Sequence, residues 1–508
     1  MALDCRRTDL TLGIVGTGLM GQGIAQIAAQ SGVQVLLYDN RENGAEQAKA
    51  AIQKVLNRLV EKGKISEVAA TESLNRLQVL GGMEELSSCH IVVEAVFENL
   101  DIKRQLMLRL EAIVADDCLL ATNTSSLSVT SIAADCRRPG RIGGFHFFSP
   151  VPLMKIVEVI NGIMTEDWVS SALTELAKRM GHTPVQAKDT PGFIVNHAGR
   201  GFGTEALRIL DEGIADFSEI DEILRESAGF RMGPFQLLDL VGLDVSHPVI
   251  ESIYNQYYQE PRFRPSGVTR QRLTAGLLGR KSGQGFYRYK DNVPEAVAIS
   301  TAPDARPAKI WVSQSNQEVH LSVSDLISAL GGSLENGERP STEALCIVTP
   351  LGKDATTTAL DENLDPTRTI AIDTLFGLDK HRTLMTTPVT TAVMREAANG
   401  LFAGDGTPVS VINDSAGFVA QRVVALIVNI SCDIAQQRIA SPQDIDLGVT
   451  LGLGYPKGPL AWGDSLGAQR ILTILEEMST FYGDPRYRPS PWLKRRAKLG
   501  ISLLTIED

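Results

Sequence analysis

The amino-acid sequence predicts an α/β chain: a doubly wound sheet domain, a helical domain, a degenerate α/β segment and a second helical repeat. Three observations predict it. Residues 12–39 run strand, glycine turn, apolar helix, strand; apolar strand-like runs and amphipathic helices go on alternating to residue 187; and the stretch at 188–197 returns at 413–422. Strands that alternate with helices bury their apolar surface as a mainly parallel sheet covered on both faces.

The first strand, Leu12–Val15, leads into Gly16, Gly18 and Gly21 at G-x-G-x-x-G spacing. Gly16 permits the tight turn, Gly18 lets backbone approach a pyrophosphate, and Gly21 lets helix pack on strand. Thr17, Leu19 and Met20 lie in the same turn, at a helix N-terminus suited to phosphates. The second strand ends on Asp39, eighteen residues beyond Gly21. A carboxylate there accepts from ribose hydroxyls and repels a 2′-phosphate. The unit therefore reads as a Rossmann-type dinucleotide site, with NAD favoured over NADP. Arg41 is open to two readings, a phosphate holder or a stacking partner for adenine.

Ala45–Leu59 has the period of an amphipathic helix, and residues 86–114 give a buried strand and then a helix. CLLATNTSSLS (118–128) and RIGGFHFFSP (141–150) are strands running into loops, and Lys188 opens a helix-rich region that lasts to Lys290. The echo of KDTPGFIVNH (188–197) in NDSAGFVAQR (413–422) continues downstream. Ile220-Asp221 meets Ile445-Asp446, Gly233-Pro234 meets Gly458-Pro459, Asp239 meets Asp464, and EPRFRPS (260–266) meets DPRYRPS (484–490). A repeat this long implies duplication. Val293–Ile310, rich in Ala and Pro, reads as a linker. LCIVTP (345–350) reads as a strand that opens into no glycine turn, hence a degenerate nucleotide-type domain without nucleotide. Domains are expected at 1–187, 188–291, 292–409 and 410–508.

With 508 residues, 43% hydrophobic and 21% charged, the chain is expected to form several domains of ordinary soluble character. A net charge of −11 argues against nucleic acid as a partner. Six cysteines without a C-x-x-C pair suit reduced thiols in the cytoplasm. Leu10–Tyr38 carries no charge, but Gly13, Gly16, Gly18, Gly21 and Gly23 with Gln22 and Gln26 argue against a signal peptide or membrane span. No other run is read as approaching the roughly 20 apolar residues that a span needs. There is no H-E-x-x-H, no cysteine–histidine cluster at ligand spacing and no G-x-S-x-G elbow, so no metal site is expected.

His146 ends an apolar strand among Phe145, Phe147 and Phe148, where low polarity makes imidazole a tunable base. Taken alone, it reads as a core histidine. Glu158, twelve residues on, changes the weighting: a turn at Ser149–Leu153 folds its strand back beside His146. A carboxylate on one ring nitrogen fixes the tautomer and stabilises the imidazolium formed on taking a proton; a structural ion pair is the alternative. Ser125, at a strand's carboxyl end, either binds a reacting hydroxyl or caps the helix SVTSIA. Asn196 offers donor and acceptor together, or is a helix-surface amide. Glu98 and Lys103 are candidates for the nicotinamide ribose, or a charged helix start.

With the glycine turn, VVEAVFENLDIK, TNTSSLS, GFHFFSPVPLMKIVEV, KDTPGFIVN, GFRMGPFQLLDLVGLD and GRKSGQGFYRYK in order over residues 10–290, the chain resembles the L-3-hydroxyacyl-CoA dehydrogenases. The second repeat, with YPKGPLAWGDSLG and DPRYRPS, is similar to that of the longer bacterial members. The resemblance implies NAD-dependent oxidation of an (S)-3-hydroxyacyl-CoA. The candidate substrates are 3-hydroxyadipyl-CoA of phenylacetate breakdown and 3-hydroxybutyryl-CoA of fatty-acid β-oxidation. It makes His146 the general base, Glu158 its partner, and Ser125 and Asn196 the groups at the reacting carbon. It assigns Asp39 to the adenosine ribose, and Glu98, Lys103, Ser125 and Lys281 to the nicotinamide end. Lys62, in a small basic group with Arg58 and Lys64, suits the phosphates of coenzyme A or else lies on a solvated face.

The chain departs from the family pattern at Ser149, where many members have Asn, and at His197, where many have Arg. The first is expected to loosen contacts near the substrate, the second to alter a surface or interdomain pair. Gln421 stands where Asn196 does, and the sequence given stops before a counterpart of KSGQGFY, so the second half is expected to be inert. Its helical domain is expected to pack on the first as a pseudo-dimer within one chain, with a homo-oligomer left open. The rival readings are a dehydrogenase of a free hydroxy acid and a non-catalytic NAD-binding protein.

Overall fold

The computed structural model describes residues 3–296 and 302–507, which divide into two compact units. The first is Met1–His197 with Gln437–Leu453. Its sheet has eight strands: β1 (Thr11–Val15), β2 (Gln34–Tyr38), β3 (Leu77–Val79), β4 (Ile91–Glu94), β5 (Leu119–Thr122), β6 (Ile142–Phe147), β7 (Ile156–Asn161) and β8 (Thr183–Lys188). They lie in the order β3-β2-β1-β4-β5-β6-β7-β8. All neighbours are parallel except β6 and β7.

The central strands are continuous apolar runs because both faces are covered. Ile14, Val35, Val93 and Ala121 enter one core with Ile24 and Leu173. Val15, Leu36, Val92 and Leu120 enter the other with Leu106 and Ile132. Strand order reverses between β1 and β4, and ligands of such sheets bind in the crevice beyond the carboxyl ends at that point. The glycine turn lies there. The uncharged run is β1, the helix Leu19–Gln30 and β2, and the helix expected at 45–59 is Gly44–Glu61. β3 and β8 are not among the sequence expectations: one is three residues long, and the other, TPVQAK, has no apolar run.

This unit continues past Lys188 to His197 and takes in a piece of the second repeat. The helix Pro442–Leu453 packs on the segment after β8, and two glycines allow the approach. A Cβ on Gly452 would stand 2.9 Å from Val195 Cγ1, and one on Gly448 3.2 Å from Ile194 Cγ2.

The second unit is Ala198–Gln436 with Gly454–Asp508. The expected linker begins instead as a short antiparallel pair, β9 (Tyr289–Lys290) with β10 (Val293–Pro294), and its residues 297–301 lie outside the described residues. A five-stranded sheet follows: β11 (Ile310–Val312), β12 (Leu345–Val348), β13 (Thr369–Ile372), β14 (Arg382–Thr386) and β15 (Val409–Ile412), in that order. Neighbours are parallel except β13 and β14. This is the arrangement of β4–β8, with the same order and the same single antiparallel step. LCIVTP thus lacks a glycine turn for a topological reason. Its strand β12 stands where β5 does, and among the described residues this sheet has no counterpart of β1–β3.

The helix Val419–Gln436 is the core of the second unit and packs on Arg200–Asp211 of the first repeat. Gly201 brings the two close, since a Cβ there would stand 3.2 Å from Ile430 Cδ1. By length and composition this helix could cross a membrane, which corrects the expectation that no such run exists beyond 10–38; 89% of it is buried inside the fold. Its polar residues are held there. Arg422, fully buried, bonds Glu205 and Glu212 at 2.8 Å and Tyr487 Oη at 3.1 Å. Arg262 and Arg486, equivalent in the two repeats, each pair with a carboxylate on the long helix of the other, Asp433 and Glu205 respectively. Asp239 accepts from the Phe286 and Tyr287 N–H groups, and Asp464 likewise accepts from that of Leu503. The last residues therefore do anchor as the KSGQGFY segment does, though without a lysine.

Candidate active site

Gly16 has φ +89°, and a Cβ there would stand 2.8 Å from Ala95 O; on Gly21 it would stand 2.0 Å from Gly16 O. Neither place admits a side chain. At Gly18 a Cβ would meet no protein atom within 4 Å, so the space over it is open crevice, as a cradle for a pyrophosphate requires. The helix Leu19–Gln30 begins without a side-chain cap, leaving its first N–H groups for an anion. Leu19 is exposed and Met20 half-buried.

Asp39 Oδ2 accepts from Thr17 N and Thr17 Oγ1, both at 2.7 Å, and the Arg41 guanidinium forks onto the same carboxylate at 2.9 Å. Arg41, helped by Thr17, holds the Asp39 carboxyl well below the usual carboxylate range. Thr17 is buried and acts on Asp39. A cavity of about 590 Å³ opens here, lined by Gly18, Asp39, Arg41, Met83 and Phe97 among others. An ionised carboxylate on its wall suits a ribose and opposes a 2′-phosphate.

The nicotinamide-end candidates come together at the ends of β4 and β5. Lys103, on the helix Leu100–Ile113, is 1% exposed and bonds both oxygens of the buried Glu94 at 2.9 Å and Glu98 Oε2 at 3.3 Å. It is an interior charge, not a solvated helix start. Glu98 Oε1 accepts from Thr124 Oγ1 at 2.7 Å and from the Ser125 and Ser126 N–H groups at 2.9 and 3.1 Å. Burial pushes the Glu98 carboxyl up, but Lys103 and these hydrogen bonds outweigh it and hold it below its ordinary value. Ser125 does not cap the next helix. Val129–Ala133 is capped by Ser128, directly before it, whose Oγ accepts from Ser131 N at 3.1 Å. Asp189 completes that cap, accepting from Ser128 Oγ, Val129 N and Thr130 N at 2.7, 3.0 and 2.7 Å. This ties the Ser125 loop to the segment bearing Asn196.

The antiparallel step between β6 and β7 places His146 directly opposite Glu158. His146 Nδ1 lies 2.6 Å from Glu158 Oε2, with 6% and 0% of the two side chains exposed. Glu158 Oε1 accepts from the Ile194 and Val195 N–H groups, both at 2.9 Å. An acceptor carboxylate on Nδ1 makes that nitrogen the donor and leaves the lone pair on Nε2. The rings of Phe148 and Phe193 flank the imidazole at 4.5 and 5.9 Å. Asn196 follows Val195 at once, half-buried. Ser149 is exposed before a cis Pro150, and His197 is 2% exposed, which corrects the expectation of a surface pair. Lys281 belongs to the second unit and pairs there with Asp244 at 2.6 Å. Arg58, Lys62 and Lys64 are exposed at the carboxyl end of Gly44–Glu61, where cations suit the helix dipole.

Residues 11–190 match the NAD binding domain of 3-hydroxyacyl-CoA dehydrogenase, and 192–289 and 417–502 both match that family's C-terminal domain. The chain belongs to the 3-hydroxyacyl-CoA dehydrogenase family. Members of this family are NAD-dependent oxidoreductases, and the double match of the C-terminal domain accounts for the repeat. The chain is 37% identical to the 3-hydroxyadipyl-CoA dehydrogenase of Escherichia coli over 96% of its own length and 98% of that protein's. A crystal structure of 3-hydroxybutyryl-CoA dehydrogenase from Escherichia coli K12 matches with a TM-score of 0.85 at 36% identity, covering 97% and 98% of the two chains. A probable 3-hydroxybutyryl-CoA dehydrogenase of Deinococcus radiodurans is 40% identical over 55% of this chain and 100% of its own length.

Three contributors to this site escape the sequence reading. Glu94 is a carboxylate closing an apolar strand, a signal present in VVE. Asp189 recurs as Asp414 in the repeat, which marks it. The Ile194 and Val195 N–H groups have no sequence signal.

Proposed function

We propose that this dehydrogenase oxidises the 3-hydroxyl of an (S)-3-hydroxyacyl-CoA by base catalysis at His146. The observation that carries the proposal is the 2.6 Å bond from His146 to Glu158, whose other oxygen is held by two backbone N–H groups. With Nδ1 committed to Glu158, Nε2 takes the hydroxyl proton, and Glu158 stabilises the imidazolium that forms. When bound, NAD would supply the acceptor for the hydride of C3. Ser125 and Asn196 hold the reacting end of the substrate, and Lys62 meets phosphates of coenzyme A. The turn Gly16–Gly21 holds the pyrophosphate and Asp39 the adenosine ribose. Glu98, Lys103, Ser125 and Lys281 serve the nicotinamide end. The enzyme works in the cytoplasm on 3-hydroxyadipyl-CoA or 3-hydroxybutyryl-CoA, in phenylacetate breakdown or fatty-acid β-oxidation respectively. Its helical repeats form a pseudo-dimer within one chain, whose domains are 1–187, 188–291, 292–409 and 410–508.

NADH formation from (S)-3-hydroxyadipyl-CoA and (S)-3-hydroxybutyryl-CoA, compared as kcat/KM with NADP+ as control, tests this. Preference for the adipyl compound assigns it to aromatic-acid degradation, and preference for the butyryl compound to β-oxidation. Turnover of neither overturns the proposal.

A further inference from the structure

Glu94 has no role in the chemistry above, yet it is bonded on every side. Its buried carboxylate accepts from Lys103 on both oxygens at 2.9 Å, from the Val96 N–H at 3.1 Å and from the Thr122 hydroxyl. Buried ion pairs add little net stability, and their best-attested use is to specify a geometry. Here Lys103 stands between two carboxylates, 2.9 Å from Glu94 and 3.3 Å from Glu98, and Glu98 is the one that reaches the opening, 34% exposed. Glu98 gathers the Thr124–Ser126 loop on its other oxygen. Without the charge of Glu94, Lys103 would keep only Glu98 and the Val96 carbonyl, 3.4 Å away, and its stronger pull in a setting of low dielectric would draw Glu98 inward off the loop.

The second sheet supplies an independent observation. Ile310 pairs with Leu345 as Ile91 pairs with Leu119, so Ser313 stands at the place of Glu94, and the next helix, capped by Asn316 as Leu100–Ile113 is by Asn99, puts His320 at that of Lys103, its Nδ1 3.1 Å from Ser313 O. The carboxylate–ammonium pair is thus absent where Ser125 is also replaced, by Leu351. The cap made by Asp189, in contrast, persists as Asp414, which accepts from Ala355 N and Thr356 N at 2.8 and 3.2 Å. The Asp189 contact survives in the second copy; the Glu94–Lys103 pair does not.

We propose that Glu94 is a positioning residue for the nicotinamide end: by holding Lys103 it sets where Glu98 stands, and through Glu98 it places Ser125. This rests on the assignment of Glu98 and Ser125 to that end.

The test is Glu94→Gln in the full chain, with NADH affinity read by fluorescence titration beside kcat, the KM for acyl-CoA and the thermal midpoint. Loss of a charged hydrogen-bond anchor is expected to weaken NADH binding about tenfold and to lower kcat, with the acyl-CoA KM within about twofold. Glu94→Asp keeps the charge one methylene further from Lys103 and is expected to fall between wild type and Glu94→Gln; it carries the test if Glu94→Gln does not fold. A lower midpoint with unchanged NADH affinity in whichever variant folds overturns the proposal, since a purely structural pair gives that pattern. Glu98→Gln is the control. If it weakens NADH while Glu94→Gln does not, this proposal alone fails; if Glu98→Gln leaves NADH affinity and kcat unmoved, the assignment beneath it fails as well.

Discussion

In the first sheet His146 stands opposite Glu158 across β6 and β7; in the second, Asp373 stands opposite Thr383 beside β13 and β14, its N–H on Thr383 O at 3.0 Å. Leu351 takes the place of Ser125 and Gln421 that of Asn196. The backbone plan is shared and the polar groups have turned on one another. Gln421 Nε2 donates to Asp373 Oδ1 at 2.9 Å and Pro350 O at 3.2 Å, while its Oε1 accepts from Gly352 N at 2.9 Å. Burial raises the Asp373 carboxyl above its ordinary value. The backbone differs at one place. Gly192 and Gly417 both have positive φ, but Phe193 follows at φ +48°, whereas Phe418 is outside the left-handed region. Strain of this kind costs about 1–3 kcal/mol and gathers at functional sites. A sheet register can thus support a reactive pair or a closed polar cluster, and the side chains decide which.

The largest effect that would break this comparison is at the base. His146→Gln is expected to lower kcat about 10²–10⁴-fold with NADH affinity retained, while Asp373→Asn leaves kcat unchanged. Steady-state rates and NADH titration check both, and equal losses would mean that the second half takes part in chemistry. Glu158→Gln comes next. Its amide N–H₂ facing Nδ1 selects the tautomer with the proton on Nε2, so kcat is expected to fall about 10²-fold or more with the acyl-CoA KM little changed.

Stability tests sharpen the contrast further. Arg422→Met strips Glu205 and Glu212 of their buried partner between the helical repeats and is expected to cost about 3–5 kcal/mol by denaturant unfolding. The smallest effect concerns a second buried histidine. His146 has a carboxylate on Nδ1, whereas His381 has the Ser227 and Ser410 hydroxyls at 3.5 and 3.2 Å, and burial pushes it down to about 4. A folded-state value below the unfolded 6.5 means stability present above pH 6.5 and lost as the pH falls toward 4. At 1.36 kcal/mol per pKa unit this amounts to about 3 kcal/mol. His381→Gln is expected to flatten that slope in unfolding midpoints measured from pH 7 to 4.5; an unchanged slope would show that His381 does not titrate there.

Local chemistry made the first half legible. Glycine spacing and the carboxylate of Asp39 identify a nucleotide crevice because turn conformation and backbone clearance are properties of a few adjacent residues. The strand pair bearing His146 and Glu158 could be read because twelve residues suffice for a strand, a turn and a return strand. The repeat could be read because side-chain identity survives at Asp189 and Asp414. Other features depend on partners remote in the chain. The backbone N–H groups on Glu158 exist only because Gly192 and Phe193 bend the segment after β8 toward β7, and backbone amides look alike in every sequence. Lys103 reads as a helix-surface cation until the fold buries it against Glu94. The helix Pro442–Leu453 belongs to the first unit because Gly448 and Gly452 fit Ile194 and Val195, a steric match that no periodicity encodes. Sequence alone determined the turns, the strand pair and the chemical types at the site. Tertiary structure decided which charges are buried, which carboxylate each cation serves and which backbone donors complete the pair, because hydrogen bonds and burial are satisfied through space and not along the chain.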